Sequence, residues 1–323
     1  MARGRPAGVD QPTLDDVVAG PIGSRHSGRR HPCSPERNPP AALIPPGSRD
    51  KACPPMTSIN PSVSRRGVGV TSRRDAWWVK PLLVFLGFSA FIIYSTWAAF
   101  QGADYWVEGT GYLSPFYSPE IFGDGPHSIF GPQPGFWPEW LPFSFSPAFL
   151  ILWAPAGFRL TCYYYRGAYY KAFWADPPAC AVGEPRKTYL GENSLPLILQ
   201  NLHRYMLYIA MVVLVFLAID VWKALWFGPN GDEFGIGLGT LVLALNVCLL
   251  SGYTFGCHSL RHLVGGGMDQ FTGRPLREKA WSCVSCLNNR HQIWAWFSLF
   301  WVGFSDVYVR LCAKGVWTDV RFF

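Results

Sequence analysis

The sequence predicts an all-α membrane protein, a bundle of five transmembrane helices behind an unstructured amino-terminal tail. Three observations predict it. Of the 323 residues, 49% are hydrophobic and only 15% charged, against roughly a quarter charged in soluble domains. Apolar stretches near twenty residues, the length that crosses a bilayer core, recur five times. The segments that join them alternate between basic and acidic, as they do when connections lie on opposite faces of a membrane. Aromatic residues reach 16%, with 15 Trp, and Trp and Tyr collect at membrane–water interfaces.

The first 76 residues are rich in Pro, Gly, Ser and Arg and hold no apolar period, so they are expected to form a disordered cytoplasmic tail. They lower the mean hydropathy of the chain to +0.11. The stretch PPMTSINPS offers a second start at Met56, which leaves residues 1–55 as upstream sequence or as a tail without function. The spans are expected at about 78–100, 147–170, 203–227, 237–262 and 291–311, within an anchor covering 77–313 and followed by a short outer tail at 314–323. Pro155 should kink the second span, and Arg159 inside it requires a buried partner or a route to the interface.

Orientation follows from the charges. Arg65, Arg66, Arg73, Arg74 and Lys80 precede the first span, whereas 101–146 carries five acidic residues and no Lys or Arg. The 166–204 connection is basic again, 228–236 holds only Asp232 and Glu233, and 261–290 returns to basic. The amino terminus is therefore expected in the cytoplasm and the carboxyl terminus outside, with Arg310, Lys314 and Arg321 as exceptions. Asp220 and Asp306 are expected to pair with Lys223 and Arg310 at i,i+3 and i,i+4. The net charge of +7 is sorted by membrane side and does not imply nucleic acid. The loop 101–146 is expected to lie on the membrane as an aromatic cap, with His127 as a solvated residue. No internal repeat between the halves is evident, which argues against a transporter.

This topology brings Cys162, His203, Cys257, His258, His262 and His291 to the cytoplasmic ends of four helices. His258 and His262 lie one turn apart and face the same way, and polar groups at membrane depth need partners. Cys248 and Cys312 lie elsewhere and are expected to pack, Cys180 lies on the cytoplasmic surface, and the Cys283–Cys286 pair has no second pair to complete a zinc site. Two imidazoles would suit a haem b, with His203 and His258 or His262 as axial ligands. That leaves both thiols idle. A Rieske-type [2Fe–2S] cluster needs two thiolates and two imidazoles, which the layer supplies without the paired Cys-x-His loops of soluble examples. Zinc matches the ligand types but does little for a bundle held by packing. A scaffold without a cofactor, with these residues as packing groups, is the remaining alternative.

The stretches GFRLTCYYYRGAYYKAFW, PLILQNLHRYMLYIA and CHSLRH followed by glycines, in a five-span layout over residues 76–313, resemble the single-chain membrane anchor of actinobacterial succinate dehydrogenases, respiratory complex II. The resemblance implies a bacterial plasma-membrane subunit with no activity alone, docked on a flavoprotein carrying FAD and an iron–sulfur protein. It implies menaquinone or ubiquinone as electron acceptor, and leaves room for a higher oligomer of the complex. It also implies a membrane-embedded Rieske-like cluster in place of haem, with Cys162, Cys257, His203, His258 and His262 as the metal ligands. His291, Arg204 and Arg261 are then expected at the quinone. Cys257 and His258, about 100° apart on a helix, could serve one compact cluster only if its irons span that angle or the helix unwinds at Gly256.

A chain that begins at Met56 is expected to insert and assemble like the full-length chain. Loss of membrane insertion on deleting residues 1–55 would contradict that expectation.

Overall fold

The computed structural model describes residues 67–123, 125–132, 135, 145–185, 195, 197–228, 231–267 and 270–323. They are mostly helical. Helix α1 (Val79–Gln101) is followed by a long loop and a 3-10 turn at Pro147–Leu150, then α2 (Trp153–Thr161) and α3 (Tyr163–Phe173). A second 3-10 turn, Leu197–Leu202, leads into α4 (His203–Lys223). Helices α5 (Leu238–Phe255), α6 (His258–Gly265), α7 (Pro275–Asn289) and α8 (His291–Ala313) complete the chain. Between α4 and α5 the short acidic connection forms a ribbon, β1 (Trp226–Phe227) antiparallel to β2 (Glu233–Phe234).

Among the described residues, three helical stretches are long and apolar enough to cross a membrane: Val79–Gln101, Ile198–Lys223 and Leu238–Phe255. The first ends on Gly102 at φ 59°, a left-handed cap that glycine adopts without strain. It buries only Ala98 and Ala99 and exposes Leu83, Leu86 and Ile93, as a lipid-facing helix does. The second and fourth expected spans are not continuous helices. Each breaks at a cysteine, the second at Cys162 rather than at Pro155. Pro155 sits in the first turn of α2, where its missing N–H costs no helix bond. The fifth expected span is the uninterrupted α8.

The two ends of the bundle are built differently. At one end, residues 69–73 bind the 180–183 turn: Gly69 N–H donates to Gly183 O, Gly183 N–H to Val70 O, and Arg73 Nη1 to Cys180 O at 2.8–2.9 Å. The expected unstructured tail therefore does not extend through residue 76; residues 1–66 lie outside the described residues. At the other end lies the loop after α1. It enters the bundle, burying Tyr105, Tyr112, Leu113, Phe116 and Tyr117.

One ion pair bolts that loop down. Asp306 and Arg310 of α8 are 0% and 4% exposed and meet at 2.8 Å. Asp306 also accepts from Tyr94 and Ser114, while Arg310 donates to the carbonyls of Ala98 and Ala103. Helix α1, the loop and α8 are thus tied at one point. The other cations at this end are matched too, Lys314 by Asp104 at 3.5 Å and Arg321 by Glu233 at 2.9 Å. Asp220 departs from expectation: its hydrogen-bond partner is Ser118, not Lys223, which lines a cleft with His127. His127 is also not solvated. It is 9% exposed with neither ring nitrogen hydrogen-bonded, and burial beside Lys223 lowers its pKa to about 4.

Arg310→Leu strands a buried carboxylate and is expected to destabilise the assembled protein by about 3–5 kcal/mol. Lys314→Ala, which removes an exposed pair, should cost under about 1 kcal/mol. Thermal unfolding in detergent measures both, and equal effects would refute the bolt.

Candidate functional site

The site begins with the two helix breaks. Cys162 (φ −63°, ψ 128°) separates α2 from α3, and Cys257 (φ −65°, ψ 138°) separates α5 from α6. Both breaks use the same hydrogen bonds. Cys162 N–H donates to Arg159 O and Arg166 N–H to Cys162 O; Cys257 N–H donates to Thr254 O and Arg261 N–H to Cys257 O. Each sulfur then sits over the open first turn of the next helix, whose amides lack intrahelical acceptors. The amides of Tyr164 and Tyr165 face Cys162, and those of Ser259 and Leu260 face Cys257. Asn288 Nδ2 secures the second break by donating to Gly256 O at 2.8 Å.

Two histidines answer the two thiols. His203, the first residue of α4, places Nε2 3.0 Å from Cys257 Sγ. His291, the first residue of α8, places Nε2 3.5 Å from Cys162 Sγ. The tautomer of His203 follows from its neighbour. Thr161 Oγ1 donates to Gly157 O at 2.8 Å, so at 2.9 Å from Nδ1 it accepts the ring N–H. That leaves the Nε2 lone pair directed at the thiol. Phe158 stacks on His203 at 4.8 Å and Tyr253 on His291 at 5.0 Å. Both cysteines belong to one buried cluster with Phe158, Tyr165, Leu207, Tyr253 and Ala295.

These parts are the same unit used twice. The sequence Gly157-Phe158-x-x-x-Cys162-x-x-x-Arg166 repeats as Gly252-Tyr253-x-x-x-Cys257-x-x-x-Arg261, and Asn201-x-His203 repeats as Asn289-x-His291. The glycines do the same work. A Cβ on Gly157 would lie 3.1 Å from Met206 Sδ, and one on Gly252 would lie 2.5 Å from the Trp294 ring. Met206 and Trp294 each follow their histidine by three residues. Each cysteine meets the histidine of the other unit, so the site has approximate two-fold symmetry. This corrects the expectation of no internal repeat; the signal lay in the spacing of few residues, not in overall similarity.

The remaining expected residues lie elsewhere. His258 and His262 are exposed and face each other, Nε2 to Nε2 at 2.9 Å. The break turns Cys257 inward and the next residue outward. Arg204 is exposed, with no hydrogen bond or ion pair among the described residues. Arg261 is engaged by Ser285 at 3.0 Å and lies over Trp281, tying α6 to α7. Cys180, Cys248, Cys283 and Cys286 are exposed, and Cys312 is buried. Arg159 finds partners without charge: Nη1 donates to Tyr165 Oη and Ala295 O, and Nη2 to Ser298 Oγ. Its guanidinium also covers the Tyr253 ring at 4.6 Å. Among the described residues, no three His, Cys, Asp or Glu side chains converge as tightly as a bound metal ion requires. What converges is two separate Cys–His contacts.

Residues 79–315 match the family model of the actinobacterial succinate dehydrogenase subunit SdhC. A chain of the Mycobacterium smegmatis Sdh1 complex in the apo form is similar at 44% identity and a TM-score of 0.71, over 78% of this chain and 94% of that one. No curated protein matches the chain. The chain therefore belongs to the actinobacterial SdhC family and is the membrane subunit of a succinate:quinone oxidoreductase.

Proposed function

We propose that this SdhC chain, paired with the flavoprotein and iron–sulfur subunits, passes electrons to membrane quinone through a [2Fe–2S] cluster held by Cys162, Cys257, His203 and His291. The observation that carries this reading is the duplicated pair of Cys–His contacts. A cluster with two thiolates on one iron and two imidazoles on the other has the same two-fold symmetry. The donor set fits in kind: two thiols, an imidazole oriented by Thr161, and a second imidazole whose buried Nδ1 has no hydrogen-bond partner among the described residues. When bound, the cluster would supply one-electron transfer at membrane depth. The chain's own residues orient the imidazoles through Thr161 and the stacked rings, and exclude water with the surrounding apolar cluster. A haem b reading is less well supported, because each imidazole Nε2 faces a thiol rather than an open slot between rings.

The same proposal takes five crossings, with α3, α6 and α7 on the cytoplasmic side where the soluble subunits dock. It is supported by the charge pattern and by the grouping of connections: 69–73 with 180–183, and the loop after α1 with β1 and the carboxyl-terminal residues.

The reduced, purified complex is expected to give the electron paramagnetic signal of a His-ligated [2Fe–2S] cluster without haem absorption. His203→Ala with His291→Ala should abolish the signal and quinone reduction, while succinate oxidation by an artificial acceptor survives. His258→Ala with His262→Ala should keep the signal. A haem spectrum lost in the first double variant would establish the cytochrome reading. Quinone reduction that persists without those two imidazoles would leave them as structure. For orientation, Glu108→Cys should react with an impermeant thiol reagent from outside and Cys180 should not; the reverse pattern inverts the topology.

A further inference from the structure

The cleft shared by Lys223 and His127 lies at the end of the bundle that the loop after α1 enters. It measures ≈ 900 Å³, within the roughly 300–1,000 Å³ usual for small-ligand sites. Its walls include Trp106, Glu108, His127, Trp222, Lys223 and Trp226. Lys223 is the last residue of the apolar stretch Ile198–Lys223, so the cleft opens where that helix leaves hydrocarbon for the headgroup layer. Trp222, 61% exposed, and Trp226 stand edge to face at 6.1 Å, and tryptophan collects at such a boundary.

The walls are held in place by close backbone contacts. The loop presses onto the end of α4 at Gly111, where a Cβ would lie 2.1 Å from Lys223 O and 2.8 Å from Ala224 N. Gly228 N–H donates to Gly109 O at 3.1 Å, and Thr110 bridges to Phe227. The polar groups that line the space are not matched to one another. Both ring nitrogens of His127, in a residue 9% exposed, are buried and unbonded. Among the described residues neither Lys223 nor Glu108 makes an ion pair. Asp220, one turn before Lys223, binds Ser118 instead.

A buried imidazole without a hydrogen bond is costly to keep. Held neutral beside the Lys223 ammonium, it has one N–H to give, and a group that takes both that hydrogen and the lysine charge is an anion. The rest of the lining asks for the opposite sign. Glu108, three indole faces and the carbonyl end of α4 all favour a cation. A phosphate and an ammonium joined on one molecule, with an apolar body at headgroup depth, describe a phospholipid. We propose that this cleft binds one phospholipid of the phosphatidylethanolamine type, its phosphate at Lys223 and His127 and its ammonium at Glu108 and the indoles. Bound there, the lipid bridges the loop after α1 to the end of α4 and to β1. The proposal is independent of which redox centre the Cys–His layer holds.

Native mass spectrometry of the assembled complex, purified in mild detergent, reads the bound lipid. One phosphatidylethanolamine for each copy of this chain is expected to survive detergent exchange. Lys223→Gln should lower that retention about ten- to a hundred-fold, the loss expected for a hydrogen bond from a charged donor. Glu108→Gln should let phosphatidylglycerol take the place of phosphatidylethanolamine. Both side chains are exposed, so the fold should survive each change, with succinate oxidation by an artificial acceptor unaltered as the control. A phosphatidylethanolamine carrying a photoreactive group near its head should label 105–111, 125–127 or 222–228. Equal retention in Lys223→Gln, or label confined to other segments, refutes the site. Phosphatidylglycerol held equally well by the unmodified complex, or lipid displaced by inorganic phosphate alone, overturns the assignment in favour of a general anion site. A crosslink from the cleft to a second copy of the chain, in place of lipid label, overturns it in favour of a subunit contact.

Discussion

A helix interrupted at membrane depth must find partners for the backbone groups it exposes, because lipid offers none. Apolar packing offers none either, and nearly everything at the candidate site depends on how this chain meets that demand at two breaks inside a buried cluster. At Cys162 and at Cys257 the backbone steps out of helical geometry for one residue and re-enters it. The carbonyl of each cysteine is reclaimed four residues later, by Arg166 or Arg261. The freed amides converge on sulfur rather than on solvent. An interruption that would be a defect in a passive span here positions a thiol. Each thiol also needs a partner, and a histidine opening the next long helix of the other unit provides it. The glycines five residues before each cysteine let those helices approach.

The opposite end of the bundle follows the reverse strategy. There one polar cluster is fully engaged: Asp306 holds Arg310, Tyr94 and Ser114, and Tyr117 closes on the carbonyl of Ala98. A finished network of this kind fixes geometry and does no chemistry. The contrast is informative in itself. Within one membrane protein, one arginine is buried with its counter-charge and another is left with only hydroxyls and a carbonyl. The second lies beside the Cys–His layer.

Part of the fold was legible in the sequence because long apolar helices are a matter of composition. The apolar runs, the Asp306–Arg310 pair and the gathering of Cys162, His203, Cys257 and His291 at one end all follow from length and depth. The choice among histidines did not. Reading 237–262 as one helix put His258 beside Cys257 and both near a shared centre; the break sends His258 outward to meet His262. His291 was expected at the quinone, and depth alone does not reveal its contact with Cys162. The outer loop was read as a surface cap, since aromatic content does not distinguish residues that lie on a bilayer from residues buried beneath a loop. The duplication escaped notice because only glycine, aromatic, cysteine, arginine and histidine positions recur, while the residues between them diverge.

The central claim is that two equivalent Cys–His units build a single redox centre. Pulsed electron paramagnetic resonance on the reduced complex, prepared with ring-¹⁵N histidine, tests it most directly by counting the imidazole nitrogens bound to the centre. The account predicts two strongly coupled nitrogens in the native complex, and the loss of that pattern when His291 alone is replaced, although His258 and His262 remain. A centre with no bound imidazole, or one whose two couplings persist without His291, would contradict it.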